Sequence, residues 1–373
     1  MWKKILLLLL LIFSAKAVSQ TPKLSDKATI SIFTCGRGEQ LYSTFGHTAL
    51  RFKDDINQLD VVFNYGTFDF RTENFYLKFV KGDLQYFMSV TSVEEFIYEY
   101  QTDGREVIEQ TLTLPLSSKQ KLLDELSAAL YSSERYYTYK FIDRNCTTMV
   151  NEKINGALNG QKIEKVDDKT ITYRELLYPY FENYFWYKLG INIIFGAKTD
   201  VKAEQLFLPV ELMNSLDKAE VNGTPLVIRK TTLVEGNSDT QLGFSFFNSI
   251  YCIIAFLGIL VLINKRWLFL SYLFICGVLG MFLCLVGLYS EHQEVLWNYN
   301  ALLFSPLFLL LPFLKNEKRR RIGMLSIALL FVYAIIMVNK PHLPIMLPFI
   351  LSTFYMLLKI MGIKPLGLLP SVK

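Results

Sequence analysis

The apolar character of residues 243–373 restricts the possible fold more than any other feature of the sequence. Residues 244–263 and 267–289 are each long enough to cross a bilayer as a helix, which needs about 20 apolar residues. Shorter or Pro-interrupted apolar stretches follow at residues 296–314, 322–338 and 343–360. We therefore predict that residues 243–373 form an all-α bundle of about five transmembrane helices.

The basic residues indicate how these helices are oriented. Lys265-Arg266 lies between the first two predicted spans, residues 315–321 lie between the third and fourth, and Lys364 and Lys373 follow the last. Lys and Arg concentrate on the cytoplasmic side of membrane proteins, so these segments are predicted to be cytoplasmic. The alternate loops, residues 290–300 and 339–342, are nearly free of Lys and Arg and are predicted to lie outside.

The N-terminus agrees with this topology. Lys3 and Lys4, an apolar run at residues 5–13 and the small residues around Ala17 have the order of a secretory signal peptide. We predict a signal peptide at residues 1–17, an exported domain at residues 18–242 and a multi-pass location in a membrane, with the exported domain on the side opposite the cytoplasm. The net charge of +5 comes mainly from the cytoplasmic loops, so it does not indicate nucleic-acid binding.

The exported domain has the pattern of an α+β fold. Five segments rich in β-branched and aromatic residues predict strands near residues 29–35, 47–52, 61–65, 84–90 and 107–114. A helix is predicted from Ser117, with Ser117 and Gln120 as a capping box, and another over residues 147–158. Thr172 and Glu175 predict a third helix start, followed by a run of aromatic residues that suits either a bilayer interface or the interior of the domain.

A cysteine among polar residues is the main candidate for chemistry. Cys146 stands in "FIDRNCTTMV" at the predicted start of a helix, where the helix dipole and free amides favour a reactive thiolate. His47 is the one histidine of the exported domain and the candidate base. Asn64, on the next predicted strand, could orient its imidazole, with Asp60 and Asp69 as alternatives. A structural disulfide between Cys35 and Cys146 is the other interpretation.

Several motifs together resemble the bacterial Lnb-type lipoprotein N-acyltransferases. In that family the exported domain has a circularly permuted papain-like, NlpC/P60-type fold, in which the histidine precedes the cysteine. The motifs that carry the resemblance are "TCGRGEQLYSTFGHTALRF" at residues 34–52, "FNYGTFDF" at 63–70, "NCTT" at 145–148, "WYKLGINIIFGAKTD" at 186–200, "FLPVEL" at 207–212 and "SEHQEVLWNYN" at 290–300.

The resemblance implies transfer of an acyl chain from a phospholipid to the α-amino group of a diacylglyceryl cysteine. Cys146 would be the nucleophile and His47 the base, with a thioester intermediate. The implied partners are membrane phospholipids and diacylated apolipoproteins, and no cofactor is expected. The resemblance also implies a protein integral to a bacterial inner membrane, with its exported domain in the periplasm.

Four further residues are predicted to bind substrate. His292, between Glu291 and Glu294 at the predicted outer membrane edge, suits a lipid head group or the lipoprotein amine, because ionisable residues there are costly unless they are used. The others are Tyr65, Asn145 and Thr147.

Two other functions fit the same residues. The fold also permits a membrane-anchored cysteine peptidase or amidase that acts on cell-wall peptides. A non-enzymatic module that binds lipid or lipoprotein would fit if Cys35 and Cys146 formed a disulfide.

Overall fold

The computed structural model describes residues 21–237 and 243–363 of the 373. The predicted signal peptide lies outside the described residues, as do residue 242 at the predicted domain boundary and the basic residues Lys364 and Lys373. The described chain is a mixed α+β region followed by apolar helices, so the predicted α+β class of the first region is confirmed.

Nine strands are present in the first region: β1 (Thr29–Cys35), β2 (His47–Asp54), β3 (Leu59–Thr67), β4 (Gln85–Ser92), β5 (Val107–Leu112), β6 (Tyr136–Thr138), β7 (Glu220–Val221), β8 (Thr224–Pro225) and β9 (Val227–Val234). Seven of them form one antiparallel sheet in the order β6-β4-β3-β2-β1-β5-β9, and β7 pairs with β8. All five predicted strands belong to the large sheet. Its two edge strands were not predicted, because β6 has three residues and β9 is mostly exposed.

Seven helices accompany the sheet: α1 (Phe75–Lys81), α2 (Val93–Thr102), α3 (Leu116–Leu130), α4 (Cys146–Ala157), α5 (Tyr173–Leu177), α6 (Phe185–Ile194) and α7 (Pro209–Lys218). The main core lies on one face of the sheet, where Leu126 of α3 and Ile154 of α4 pack with Leu50 of β2. On the other face, Phe96 of α2 packs against Phe33 of β1. Burial of each such side chain contributes about 1.5–3 kcal/mol to folding.

Of two predicted capping boxes, one is absent from the structure and one is present. Helix α3 begins at Leu116 with Pro115 as its N-cap and without a side-chain cap, so the predicted capping box of Ser117 and Gln120 is wrong. The helix starts at Leu116, one residue before Ser117, and Pro115 precedes it in an extended conformation. The capping box of Thr172 and Glu175 is present at α5. The aromatic run after it forms two pieces, a 3-10 turn at Tyr178–Phe181 and then α6.

Five helices follow in the apolar region: α8 (Ile250–Ile263), α9 (Arg266–Tyr289), α10 (Asn300–Leu303), α11 (Asn316–Met337) and α12 (Leu343–Ile360). Within the described residues, α9, α11 and α12 are long and apolar enough to cross a membrane. The first predicted span has 14 helical residues in α8. The third is not one continuous helix, because α10 ends at Leu303 and a separate 3-10 turn starts at Pro306, whose ring cannot continue a helical hydrogen-bond ladder. The structure therefore supports three long helices rather than five.

The two ends of this helical bundle differ in charge and in contacts. At one end, Arg266 donates to the carbonyl of Ile360 and Arg319 donates to that of Leu311. The loops at the other end, which contain Ser290 and His342, pack on the α+β region. The basic residues thus lie at the opposite end of the bundle from the loops that pack on the α+β region, which agrees with the predicted alternation of loops.

A buried polar junction joins the two regions. Arg174 of α5 is fully buried and forms an ion pair with Asp200 at 2.7 Å. Asp200 also accepts a hydrogen bond from Tyr299, whose hydroxyl lies 3.2 Å from Nε2 of the buried His342. Asn300 donates to the carbonyl of Asn192 at 2.8 Å. These contacts fix the loops of the helical bundle against α5 and α6.

One end of the large sheet faces the helical bundle. β2 begins, β3 ends and β4 begins at this end, and α1 connects the last two strands. The end of α1 is bonded to the residues that follow α9: Ser290 donates to the carbonyl of Val80 at 2.8 Å, and the Glu291 amide donates to that of Lys81 at 2.6 Å. Side chains at this end of the sheet therefore lie toward the apolar helices.

Candidate active site

Cys146 is the first residue of α4, as the sequence predicted. Asn145 is the N-cap: its Oδ1 accepts a hydrogen bond from the Thr148 amide at 3.0 Å, and the Thr148 hydroxyl accepts one from the Asn145 amide at 2.8 Å. Asn145 Nδ2 donates to the carbonyls of Phe141 at 2.7 Å and Phe207 at 2.9 Å. With all its polar groups in use and 5% exposed, Asn145 holds the helix start in place. Its role as a substrate-binding residue stays a prediction.

His47 is the first residue of β2 and follows a glycine that the backbone requires. Gly46 has φ +80°, and a Cβ there would lie 2.4 Å from the carbonyl oxygen of Cys35. L-residues rarely adopt this conformation, so Gly46 sets the turn from which His47 enters the sheet. The His47 side chain is partly buried, as is that of Cys146, so neither is sealed in the core.

Asn64 contacts His47, as predicted. The Asn64 Oδ1 atom lies 3.3 Å from Nε2 of His47, and Asn64 Nδ2 donates to the Thr91 hydroxyl at 3.4 Å. The pairing of β3 with β4 shifts register between Asn64 and Thr67, an irregularity that is common beside active sites. Gly66 lies in this irregularity with φ +94°, and a Cβ on it would lie 3.7 Å from Cβ of Cys146.

The electrostatics of Cys146 and His47 favour an ion pair. Burial by itself would raise the pKa of Cys146, but the charge of His47 and hydrogen bonds from His47, the Thr48 amide and Thr147 outweigh it, so the pKa is lowered. Burial would lower the pKa of His47, but the charge of Cys146 and hydrogen bonds to Cys146 and Asn64 outweigh that effect, so the pKa is raised. Both shifts favour a thiolate beside an imidazolium.

Thr147, the residue after Cys146, connects the start of α4 with β2. It is fully buried, and its hydroxyl lies 3.0 Å from that of Thr48 and 4.0 Å from Sγ of Cys146. Thr48 was not singled out in the sequence, although its position directly after His47 is a usable signal. The contact between the two hydroxyls joins the start of β2 to the start of α4, and so fixes the position of His47 relative to Cys146.

Cys35 and Cys146 are both free thiols, so the alternative of a structural disulfide is not supported. Cys35 is 1% exposed, and burial raises its pKa to about 12. A thiol with that pKa is inert at neutral pH. Of the two cysteines in the α+β region, Cys146 alone has the environment of a nucleophile.

Two predicted substrate-binding residues, Tyr65 and His292, are engaged in structural contacts. Tyr65 is 3% exposed and its ring packs edge-on against Tyr137 in the main core, so it does not line an open surface. His292 Nε2 lies 2.8 Å from the carbonyl oxygen of Phe79, and its Nδ1 lies 4.0 Å from a Glu294 carboxylate oxygen. Nε2 of His292 thus serves the contact between α1 and the helical bundle, and Nδ1 faces Glu294 of its own loop.

Glu294 is a residue whose role the sequence did not reveal. It is 2% exposed, and its Oε1 accepts a hydrogen bond from the backbone amide of Ile142 at 3.2 Å. Ile142 lies in the loop that leads to Cys146. The nearest signal was the acidic pair around His292, but only tertiary structure shows that one of these carboxylates reaches the Cys146 loop.

The site contains three groups that suit acyl transfer through a thiol. Cys146 is the candidate nucleophile, His47 the candidate base and Asn64 the candidate residue that orients the base. In residues 21–237 and 243–363, no group of three or more His, Cys, Asp and Glu side chains is arranged to hold a metal ion.

Comparison with known families gives one result. Residues 20–178 match the family model described as the Lnb N-terminal periplasmic domain, and His47, Asn64 and Cys146 lie within the match. Neither the comparison with curated proteins nor that with solved structures gives a match. The family match confirms the resemblance drawn from the sequence motifs. Residues 20–178 of the chain are therefore similar to the Lnb N-terminal periplasmic domain.

Proposed function

We propose that this protein is a lipoprotein N-acyltransferase that moves an acyl chain from a membrane phospholipid, through a thioester on Cys146, to the α-amino group of a diacylglyceryl-cysteine lipoprotein. One observation carries the proposal: the Cys146–His47–Asn64 group lies at the end of the sheet that docks on apolar helices. The match of residues 20–178 to the Lnb N-terminal periplasmic domain supports the same reaction.

In the first half-reaction, Sγ of Cys146 attacks the carbonyl carbon of a phospholipid ester. A carbon–sulfur bond forms, the bond from that carbon to the glycerol oxygen breaks, and the leaving oxygen takes the proton held by His47. The products are an acyl thioester on Cys146 and a lysophospholipid. Asn64 engages Nε2 of His47, which leaves Nδ1 as the ring nitrogen for proton exchange.

In the second half-reaction, the lipoprotein amine attacks the thioester carbonyl. A carbon–nitrogen bond forms, the carbon–sulfur bond breaks, and His47 takes a proton from the amine as the Cys146 thiolate is regenerated. The amides of Cys146 and Thr147 lie in the first turn of α4, where helical amides have no intrahelical acceptor. We assign them to the oxyanion of each tetrahedral intermediate.

The competing reaction is hydrolysis of the thioester by water. Both substrates are bilayer lipids, so a site held against the membrane meets them at high local concentration and with little bulk water. The contacts of Ser290, Glu291 and Glu294 with the α+β region support this placement. A hydrolase tethered by a flexible linker would not need such a docked loop.

The test is the mass of a lipoprotein N-terminal peptide after incubation with the protein and phospholipid vesicles. The peptide should gain one acyl chain with the parent protein and none with Cys146→Ser, and intact mass should show an acyl adduct on Cys146 when the lipoprotein is omitted. Cys35→Ser is the matched control and should behave as the parent. An unchanged lipoprotein mass, or acylation by Cys146→Ser, would refute the proposal.

A further inference from the structure

The short helix α1 exposes its apolar side chains. It has no buried residue over its seven positions. Tyr76 is 76% exposed and Leu77 61%, and Phe79 and Val80 are also exposed. A soluble domain rarely leaves so many large apolar side chains together in water. The same helix carries Lys78 and Lys81, which suit an interfacial helix beside lipid phosphates.

The position of α1 relative to the membrane helices is fixed by hydrogen bonds. The carbonyls of Phe79, Val80 and Lys81 are bonded to His292, Ser290 and Glu291, the three residues that follow the end of α9. α9 is long and apolar enough to cross a membrane. A segment fastened to its end must lie at the level where α9 leaves the bilayer.

The exposed surface of α1 continues that of α9. Leu285 and Leu288 near the end of α9 are exposed, Leu288 to 85%, as is expected of side chains that face lipid. The pKa of Lys81 is raised mainly by its hydrogen bond to Asp83 and the charge of Asp83, and to a smaller extent by Tyr289, the last residue of α9. The apolar side chains of α1 therefore extend a lipid-facing surface, and a bilayer fits this surface better than a separate protein partner does.

A row of aromatic rings leads from α1 toward the nucleophile. The ring of Tyr76 lies 5.3 Å from that of Phe75, Phe75 lies 5.8 Å from Phe68, Phe68 lies 5.3 Å from Tyr86, and Tyr86 stacks on Tyr139 at 4.5 Å.

Tyr139 marks the end of this row at the active site. It packs against the same core cluster as Cys146. Burial and, to a smaller extent, the nearby Cys146 raise the pKa of Tyr139. Phe68 follows Gly66, which borders Cys146, so the chain itself also connects the two ends of the row.

We propose that residues 68–81, which we name the lip, insert into the bilayer surface around α9 and that the aromatic row behind α1 conducts a lipid acyl chain to Cys146. The second part rests on the proposed function, and the first does not. Aromatic rings and the apolar side chains of α1 give an acyl chain a continuous surface, so that a reacting ester can leave the bilayer without exposing its chain to water.

The first experiment tests insertion without using activity. Benzoylphenylalanine replaces Tyr76 in the full-length protein, which is placed in nanodiscs of phosphatidylethanolamine and phosphatidylglycerol and irradiated. Tyr98 of α2 is the matched control, because it is 71% exposed and α1 and α2 flank opposite ends of β4, about 26 Å apart at ~3.3 Å per residue. A lipid adduct is expected at position 76 and not at position 98. The absence of a lipid adduct at position 76, or an adduct only with protein, would overturn the proposed insertion of the lip into the bilayer.

The second experiment tests the path of the acyl chain. The double variant Tyr76→Glu and Leu77→Glu changes two exposed side chains, and Tyr98→Glu is its control. The double variant should form the Cys146 thioester at least about tenfold more slowly, because two carboxylates resist insertion into lipid. Alkylation of Cys146 by iodoacetamide should stay as in the parent, which shows an intact site. Thioester formation at the parental rate would overturn the acyl path. A parent that forms no thioester would instead refute the proposed function and leave the crosslinking result valid.

Discussion

The side chain of Glu294 accepts a hydrogen bond from the backbone amide of Ile142 at 3.2 Å, across 152 positions of sequence. One partner lies in the loop after α9 and the other in the loop that delivers Cys146 to the start of α4. Both are buried. The membrane-side loop therefore helps to set the position of the nucleophile.

Loss of the Glu294 carboxylate should slow acyl transfer. Glu294→Ala leaves the Ile142 amide buried without its acceptor, which costs about 1–3 kcal/mol, and a displaced Cys146 loop can cost up to about 10²-fold in rate. Glu294→Gln keeps an acceptor oxygen and should retain most activity. Glu291→Ala removes a surface ion pair with Lys140 and serves as control. Equal N-acylation rates in Glu294→Ala and the parent, at matched membrane levels, would contradict this coupling.

The pH dependence of Cys146 alkylation should report the ion pair with His47. The lowered pKa means that alkylation by iodoacetamide should appear as pH rises through a midpoint below the value of about 8.5 for a free thiol. In His47→Ala only burial and weaker hydrogen bonds act, so the midpoint should move upward. Peptide mass spectrometry follows Cys146, and Cys35, with its pKa of about 12, should stay unmodified in both proteins. A midpoint that His47→Ala does not change would remove His47 from the activation of the thiol.

Asn64 should affect rate through the orientation of His47. A hydrogen bond to a charged group is worth about 1.5–3 kcal/mol, so Asn64→Ala should lower the rate of thioester formation by about ten- to a hundredfold. Asn64→Gln, which carries the same amide on a longer chain, should recover part of the loss. Asp60→Ala is the comparison for the alternative orienting residue: Asp60 is bonded to Arg51 instead. A larger rate loss in Asp60→Ala than in Asn64→Ala would reverse the assignment.

The ion pair of Arg174 and Asp200 should matter for stability more than surface pairs do. Arg174→Met leaves the buried Asp200 with only the more distant Lys340, at 3.6 Å, as its cationic partner, and loss of one partner of a buried pair costs up to about 3–5 kcal/mol. Lys230→Ala breaks a partly exposed pair with Asp217 and should cost less than about 1 kcal/mol. Thermal unfolding in detergent micelles compares the two. Similar melting temperatures for Arg174→Met and the parent would contradict a supporting role for this pair.

The ion pair of Arg174 and Asp200 should also make the stability of the protein depend on pH. Burial alone would raise the pKa of Asp200, but hydrogen bonding to Arg174 and the charge of Arg174 lower it. A lowered carboxyl pKa gives stability that is present above the unfolded value of about 3.9 and is lost as pH falls through the folded value. The parent should therefore lose stability below about pH 4 more steeply than Asp200→Asn does. Parallel curves for the two proteins would argue against this linkage.

A single unrelated span should not replace the helical bundle. A chimera in which residues 243–373 are exchanged for one span keeps the anchor but loses the loop that supplies Ser290, His292 and Glu294. We expect it to insert and to lack N-acylation of lipoproteins. The loss should exceed that of His292→Ala, which removes one contact with α1. Normal product from the chimera would show that the bundle only anchors the domain.

The sequence alone determined the features that depend on local chemistry and composition. The five strands, the helix that starts at Cys146 and the change to apolar helices after residue 243 follow from side chains near each other in the chain. These signals are local, because caps, alternation and apolar length act over a few residues. The roles expected of His47 and Asn64 stay predictions.

Tertiary structure decided which distant motifs meet. Phe207 of "FLPVEL" holds the cap of Cys146, Gly196 and Asp200 of "WYKLGINIIFGAKTD" bind the loop after α9, and Glu294 in that loop reaches Ile142. It also placed Tyr65 in the core and bonded His292 to α1. None of these outcomes has a local signal, because each depends on backbone groups and packed surfaces that come together only when the sheet and the helical bundle dock.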